Sequence, residues 1–264
     1  MTPIRWFTSL AAALALSLTS CSPSGGSSTK PPVEEPDPQA DITGDRVPTS
    51  QGNLVIHPIN HATFLMNWAG KTLYFDPVGG AAPFQGLPAP DVIFITDIHG
   101  DHLSAETLAA VKQPGTVLVA PQAVRDLLPA DLQAITQTMA NGDTLSVAGI
   151  PVQALPMYNL TAGRLQYHAK GRGNGYVLTL GSTHVYVAGD TEDIPEMRAL
   201  RGIDVAFLPM NLPFTMTVEQ AADAVRDFKP KIVYPYHSRG SDLTEFTRLV
   251  GTDVGVEVRV RAWY

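Results

Sequence analysis

The chain reads as a layered α/β protein in which helices cover packed sheets. Three observations point there. Short runs rich in β-branched and aromatic residues recur from Asn53 to the C-terminus. Several of these runs are apolar throughout, as strands are when both faces are covered. Capped helical segments fall between them.

Residues 54–61 (LVIHPINH), 62–68 (ATFLMNW) and 71–76 (KTLYFD) form the first strands, the last two joined by a tight hairpin over Ala69 and Gly70. Residues 78–90 (VGGAAPFQGLPAP) are too long and too rich in Gly and Pro for a plain connection, which marks them as a candidate functional loop. Residues 91–96 (DVIFIT) are a buried strand. Ser104 then caps a helix over residues 105–112, with Glu106 in the first turn where the helix dipole favours an anion. Strand and helix signals alternate from there: strand 116–120, helix 121–128, and strands 144–147 and 152–158. Residues 175–180 and 184–189 make a hairpin over Gly181 and Ser182, and residues 204–210 add a further strand. An amphipathic helix over 218–228 is capped by Thr217, a buried strand fills 231–237, and a helix at 243–249 and a strand at 256–262 close the chain. No internal repeat is evident.

The N-terminus is not part of this fold. Arg5 precedes an apolar stretch, residues 7–18 (FTSLAAALALSL), shorter than the roughly 20 residues that span a bilayer. It ends in LTSC at Cys21, the single cysteine of the chain. This spacing resembles the lipobox of bacterial lipoproteins. The resemblance implies a signal peptide over residues 1–20, lipidation of Cys21, and a membrane-anchored protein facing the periplasm or cell surface. An ordinary secretory signal with an incidental cysteine is the alternative. Residues 21–50 are rich in Ser, Gly and Pro and then acidic, a composition that tethers rather than folds. Residues 51–264, about 210 in number, suffice for one domain with a sizeable core. The net charge of −7, from 25 acidic and 18 basic residues, argues against a nucleic-acid partner.

Three apolar strands run into side chains of metal-ligand type. VIFIT leads to Asp97, His99, Asp101 and His102; VYVAG leads to Asp190; IVYPY leads to His237. Strand ends in layered α/β folds lie along one edge, where loops build sites on a rigid base. A lone strand-end Asp is ordinarily a cap or turn residue, and a lone His a core or surface residue. Four ionisable groups crowded behind one buried strand are different, because such crowding is costly without a cation.

These residues carry a family resemblance. TDIHGDH is similar to the HxHxDH motif of the metallo-β-lactamase superfamily, Gly189-Asp190-Thr191 to its bridging aspartate, and His237 to its last histidine ligand. The order and spacing hold over the whole mature domain. Asn60–Thr63 (NHAT) and Tyr74–Pro77 (YFDP) resemble a subgroup that includes ascorbate-6-phosphate lactonase and N-acyl-phosphatidylethanolamine phospholipase D. The implied fold is a four-layer αββα sandwich. The implied cofactor is one or two divalent metal ions, with zinc the first expectation and manganese or iron the alternatives. Metal ligands are expected at Asp97, His99, Asp101, His102, Asp190 and His237, with Asp101 also catalytic. Asp97 stands where the family has its first histidine, and Asn159 where a third is expected. The first metal site would then retain Asp97, His99 and Asp190, leaving one metal held tightly and the other weakly or not at all.

The surrounding polar residues are expected to meet substrate. His61 faces the metals from a neighbouring strand end. Asn159, Lys170, Arg172 and Arg239 are candidates to contact or clamp it. His168 is placed with them, although it can also replace the missing histidine or decorate a hairpin. His57 and His184 are read as structural or surface residues. The expected activity is hydrolysis of a small ester, lactone or phosphoester through a metal-bound hydroxide. A degenerate domain that binds without turnover and an iron oxidoreductase on the same fold are the competing readings.

Overall fold

The structure, a computed structural model, describes residues 42–264. The stretch expected to be a signal peptide, Cys21, and the expected tether as far as residue 41 lie outside the described residues. The folded part starts earlier than the tether reading allows. Asp45–Thr49 (β1) lies within the stretch read as linker, yet it pairs antiparallel with Gly52–Asn60 (β2), Asp45 opposite Ile56. Apolar content does not explain this strand. Val47 alone points into the core, while the Asp45 carboxylate accepts hydrogen bonds of 2.8 Å from both Tyr234 and Arg261. Those partners lie about 190 residues or more away in sequence, so no local signal reveals the strand.

Thr63–Trp68 (β3), Lys71–Phe75 (β4), Val92–Phe94 (β5), Val117–Ala120 (β6) and Thr136–Thr138 (β7) complete the first sheet in chain order. The second sheet is built from Thr144–Val147 (β8), Ile150–Met157 (β9), Gly173–Leu180 (β10), Thr183–Val187 (β11), Val205–Pro209 (β12), Ile232–Tyr236 (β13) and Glu257–Val258 (β14). Both sheets follow one plan, three antiparallel pairings and then three parallel ones. The hairpin between β3 and β4 has Ala69 and Gly70 both at positive φ, as a two-residue turn matching strand twist requires. Residues 91–96 and 256–262 shorten to three and two strand residues.

Alternation along the strands explains the four layers. Leu54, Ile56, Phe64, Met66, Val205 and Phe207 point between the sheets. Val55 and Leu65 face outward under the helices Ala105–Val111 (α1), Gln122–Arg125 (α2) and Ala130–Ala134 (α3). Ala206 and Leu208 face outward under Pro195–Arg198 (α4), Val218–Phe228 (α5) and Leu243–Val250 (α6). Strands buried on both faces therefore read as unbroken apolar runs. Ser104 caps α1 as expected, and Thr217 with Gln220 forms a reciprocal capping box on α5. The architecture is thus an αββα sandwich, as expected.

The parallel strands deliver their C-terminal ends to one edge. Asp76 follows β4, residues 97–102 follow β5, Asp190 follows β11 and His237 follows β13. Three residues there, His61, Asp76 and His237, hold positive φ without being glycine. Each such conformation costs on the order of 1–3 kcal/mol and persists only where surrounding contacts dictate it. Here His61 N–H donates to Trp263 O, and His237 N–H donates to His61 O. No residue of the 78–90 loop is among the candidate metal ligands gathered at this edge or lines the cavity above them. Phe84 packs on Tyr74 on the outer side of the first sheet, so the loop is a structural cover rather than a site wall.

Candidate metal centre

Asp101, His102, Asp190 and His237 form one group whose ligand atoms lie within 4.8 Å of one another, and Asp97, His99 and His168 form a second. The Asp190 carboxylate joins them. Its Oδ2 lies 3.2 Å from His102 Nε2, 3.4 Å from His237 Nε2 and 3.3 Å from His168 Nε2. Gly189 makes this approach possible. It sits at φ +66°, and a Cβ there would meet Met157 Sδ at 2.7 Å.

Outer hydrogen bonds set the tautomers of two histidines. His102 donates from Nδ1 to Asp76 Oδ2 at 2.8 Å, and Asp76 in turn accepts from the Thr96 amide and hydroxyl at 2.7 Å each. His168 donates from Nδ1 to Asn159 Oδ1 at 2.7 Å, while the Asn159 amide donates to Phe214 O. Both Nε2 lone pairs are thereby turned inward. Buried His102 Nε2, His168 Nε2 and Asp190 Oδ1 have no hydrogen-bond partner in the protein. Orphaned buried polar atoms of this kind are met by an ion or an ordered water. Two imidazole nitrogens and a carboxylate oxygen facing one another are a donor set for a divalent cation, so the residues fit the expected metal.

The electrostatics agree. Burial opposes ionisation of Asp190, but the imidazoles of His102 and His237 hold its carboxyl well below the usual carboxylate range. Burial likewise opposes charge on Asp101, and hydrogen bonds from His237 and His61 overcome it, keeping that group ionised. Burial also resists a charged His102, yet Asp190 and Asp76 raise its pKa well above the ordinary histidine value. Two carboxylates, Asp101 and Asp190, thus gather negative charge in one cavity. His61 donates to Asp101 at 3.2 Å and stacks on His237 with ring centroids 3.7 Å apart. Asp101 remains about half exposed and faces the opening.

Several expected substrate contacts fall elsewhere, each for a visible reason. His168 sits with Asp97 and His99 as a candidate ligand, so the second group holds more than the Asp97, His99 and Asp190 expected of it. Asn159 is buried, and its side chain accepts from His168 Nδ1 and donates to the Phe214 carbonyl. Lys170 pairs with Glu196 at 2.6 Å and lies over the Tyr158 ring. Arg239 lies over the Tyr264 ring, 4.9 Å from its centroid. Neither Lys170 nor Arg239 lines the cavity above the centre. Arg172 binds Asp97 in a fork, Nη2 to Oδ2 at 3.0 Å and Nε to Oδ1 at 3.2 Å, and reaches His99 Nε2 at 3.4 Å. Sequence reasoning missed the role of Asp76, although the YFDP motif contains it, and also the cavity residues Tyr167 and Phe214.

The cavity over the centre has a volume of about 230 Å³ and is lined by His99, Asp101, Tyr167, His168, Asp190, Phe214 and His237. A larger depression of about 510 Å³ lies against β8–β10, but His184 is the one side chain of metal-ligand type in its lining.

Comparison with known proteins decides the family. Residues 56–237 match the model of the beta-lactamase superfamily domain. The chain belongs to the beta-lactamase superfamily. The UPF0173 metal-dependent hydrolase of Thermococcus onnurineus is 31% identical over 207 residues, covering 73% of this chain and 90% of that protein. A metal-dependent hydrolase of Parabacteroides distasonis, known from a crystal structure, is 39% identical with a TM-score of 0.76, covering 83% of this chain and 98% of that one. A diiron β-hydroxylase of Streptomyces venezuelae, at 20% identity and TM-score 0.60 over 82% of this chain and 54% of that one, shares the fold. Within the superfamily the chain thus stands among metal-dependent hydrolases.

Proposed function

We propose that the protein hydrolyses a small ester, lactone or phosphoester at the centre built by Asp101, His102, Asp190 and His237. One observation carries the reading. The inward, partnerless Nε2 atoms of His102 and His168 converge on the Asp190 carboxylate, on the floor of an open cavity. A divalent cation bound there, with zinc first among the candidates and manganese or iron next, supplies Lewis acidity and lowers the pKa of water from about 15.7 toward about 7. The chain supplies the rest. Asp101, ionised and backed by His61 and His237, orients the attacking water. Asp190 and the histidines hold the donor set rigid on strand ends. Alanine at Asp101 or His237 should abolish turnover; activity within a few-fold of wild type would remove the site from consideration.

The Asp97–Arg172 fork supports unequal metal occupancy, since a guanidinium already engages the carboxylate that the second group offers. Metal analysis after extensive dialysis tests this, and two retained equivalents of zinc would overturn it. The NHAT and YFDP motifs support placement beside the lactonase and phospholipase D subgroup, because Asp76 of YFDP orients a candidate ligand. The LTSC stretch supports export and anchoring through a lipid on Cys21. Cys21→Ser should move the protein from the membrane fraction to the soluble one.

A further inference from the structure

We propose that the substrate carries an uncharged apolar acyl or aryl group beside its scissile bond, seated against Tyr167 and Phe214. This rests on the hydrolase reading above and narrows its substrate class. Of the seven side chains that line the cavity, five are candidate metal ligands, and the two that remain are these aromatics. Their rings meet edge to face, with centroids 5.0 Å apart and planes at 75°. Phe214 is 43% exposed. Leu160, Leu165 and Leu212 are also exposed, on the same two loops that carry Tyr167 and Phe214.

The wall is braced rather than loose. Asn159 donates to Phe214 O at 2.8 Å and Arg164 donates to Thr215 O at 3.0 Å, tying one loop to the other. Asn159 also holds His168, so the aromatic wall and a candidate ligand share one support.

Charge points the same way. The basic residues of the 158–174 loop are each engaged by a carboxylate: Arg164 by Glu192, Lys170 by Glu196 and Arg172 by Asp97. Arg239 stands over Tyr264 and does not line the cavity. An anionic group beside the scissile bond would therefore find aromatic rings in place of a cation on this wall. The enclosed volume, about 230 Å³, is below the roughly 300–1,000 Å³ of pockets for drug-sized ligands. It encloses a short acyl chain or a single ring, and anything longer extends along the exposed leucines.

The test uses the metal-loaded full chain in two arms. In the first, kcat/KM is measured for p-nitrophenyl acetate, butyrate and hexanoate, and for p-nitrophenyl phosphate. Wild type should favour hexanoate over acetate by roughly tenfold, on the scale of burying a few methylenes, and should turn the phosphate over least. Phe214→Ala and Tyr167→Ala should flatten that preference while retaining the wild-type metal content. In the second arm, calorimetry compares benzohydroxamate with acetohydroxamate, which share the metal-binding head and differ in the apolar arm. Benzohydroxamate should bind roughly tenfold tighter to wild type, with the ratio collapsing in Phe214→Ala. Equal hydroxamate affinities in wild type, or an unchanged ratio in both variants, would overturn the apolar seat. A clear ratio with no turnover of any ester would uphold the seat and refute the hydrolase reading instead.

Discussion

Replacing Asp76 by Asn should weaken metal binding without touching a ligand. Asp76 is fully buried, and its Oδ2 accepts from both His102 Nδ1 at 2.8 Å and Thr96 Oγ1 at 2.7 Å. An amide nitrogen at that position would meet two donors, so His102 loses either its orientation or its tautomer. Loss of such an outer partner typically lowers metal affinity by about 10- to 100-fold, which corresponds to about 1.4–2.7 kcal/mol. The metal-free fold should lose less. Burial pushes the Asp76 carboxyl up from its ordinary value even against the pull of His102, so removing the charge also removes a desolvation cost. The assay is competition with a chromophoric chelator, with near-UV circular dichroism to verify packing. A folded Asp76→Asn variant with metal affinity within twofold of wild type would refute the reasoning.

Arg172→Met should destabilise the metal-free protein by about 1.5–3 kcal/mol, because it removes one charged partner of the buried Asp97 carboxylate and leaves His99 Nδ1 at 2.8 Å as the other. Thermal unfolding should show a larger loss without metal than with it, and equal losses would argue that no cation approaches Asp97. The raised pKa of His102 predicts that metal affinity climbs with pH, since binding at Nε2 must displace a proton. Affinity measured in non-coordinating buffers should rise by up to about tenfold per pH unit through the imidazole range, and a flat profile would contradict it. The same linkage runs oppositely for the metal-free fold: the stabilisation from His102 is complete below the ordinary imidazole value and fades as pH rises through the raised one. Asp45→Asn should lower the unfolding temperature by about 2–4 °C at neutral pH, for an ion pair worth up to about 1 kcal/mol. Burial opposes the Asp45 charge, but the hydrogen bonds of Arg261 and Tyr234 hold its pKa below normal. Its contribution is thus present above the ordinary carboxylate value and lost in stronger acid, where mutant and wild type should converge.

Much of the sandwich was legible because both-face burial writes itself into single strands. Val205–Pro209 and Ile232–Tyr236 are wholly buried and apolar, and Thr217 with Gln220 announces α5 locally. The strand Asp45–Thr49 was not legible, since its anchor is the distant pair Tyr234 and Arg261. Neither was the short length of β14: Arg259 still donates its amide to Val233 O, while the side chains of Arg259 and Arg261 reach back to Asp45.

The sequence by itself determined which side chains could hold a cation. Each candidate stands directly behind an apolar strand, and a fold that gathers parallel strand ends must gather them too. Which of those side chains share one centre was a tertiary decision. His168 joins the ligand group because Asn159, nine residues earlier, takes its Nδ1 and turns Nε2 toward Asp190. Arg172 meets Asp97 across 75 residues instead of a substrate. Tyr167 and Phe214 form one wall only because two loops are hydrogen-bonded across the cavity mouth. Such assignments depend on the direction of a lone pair or the path of a loop, which spacing along a chain does not encode.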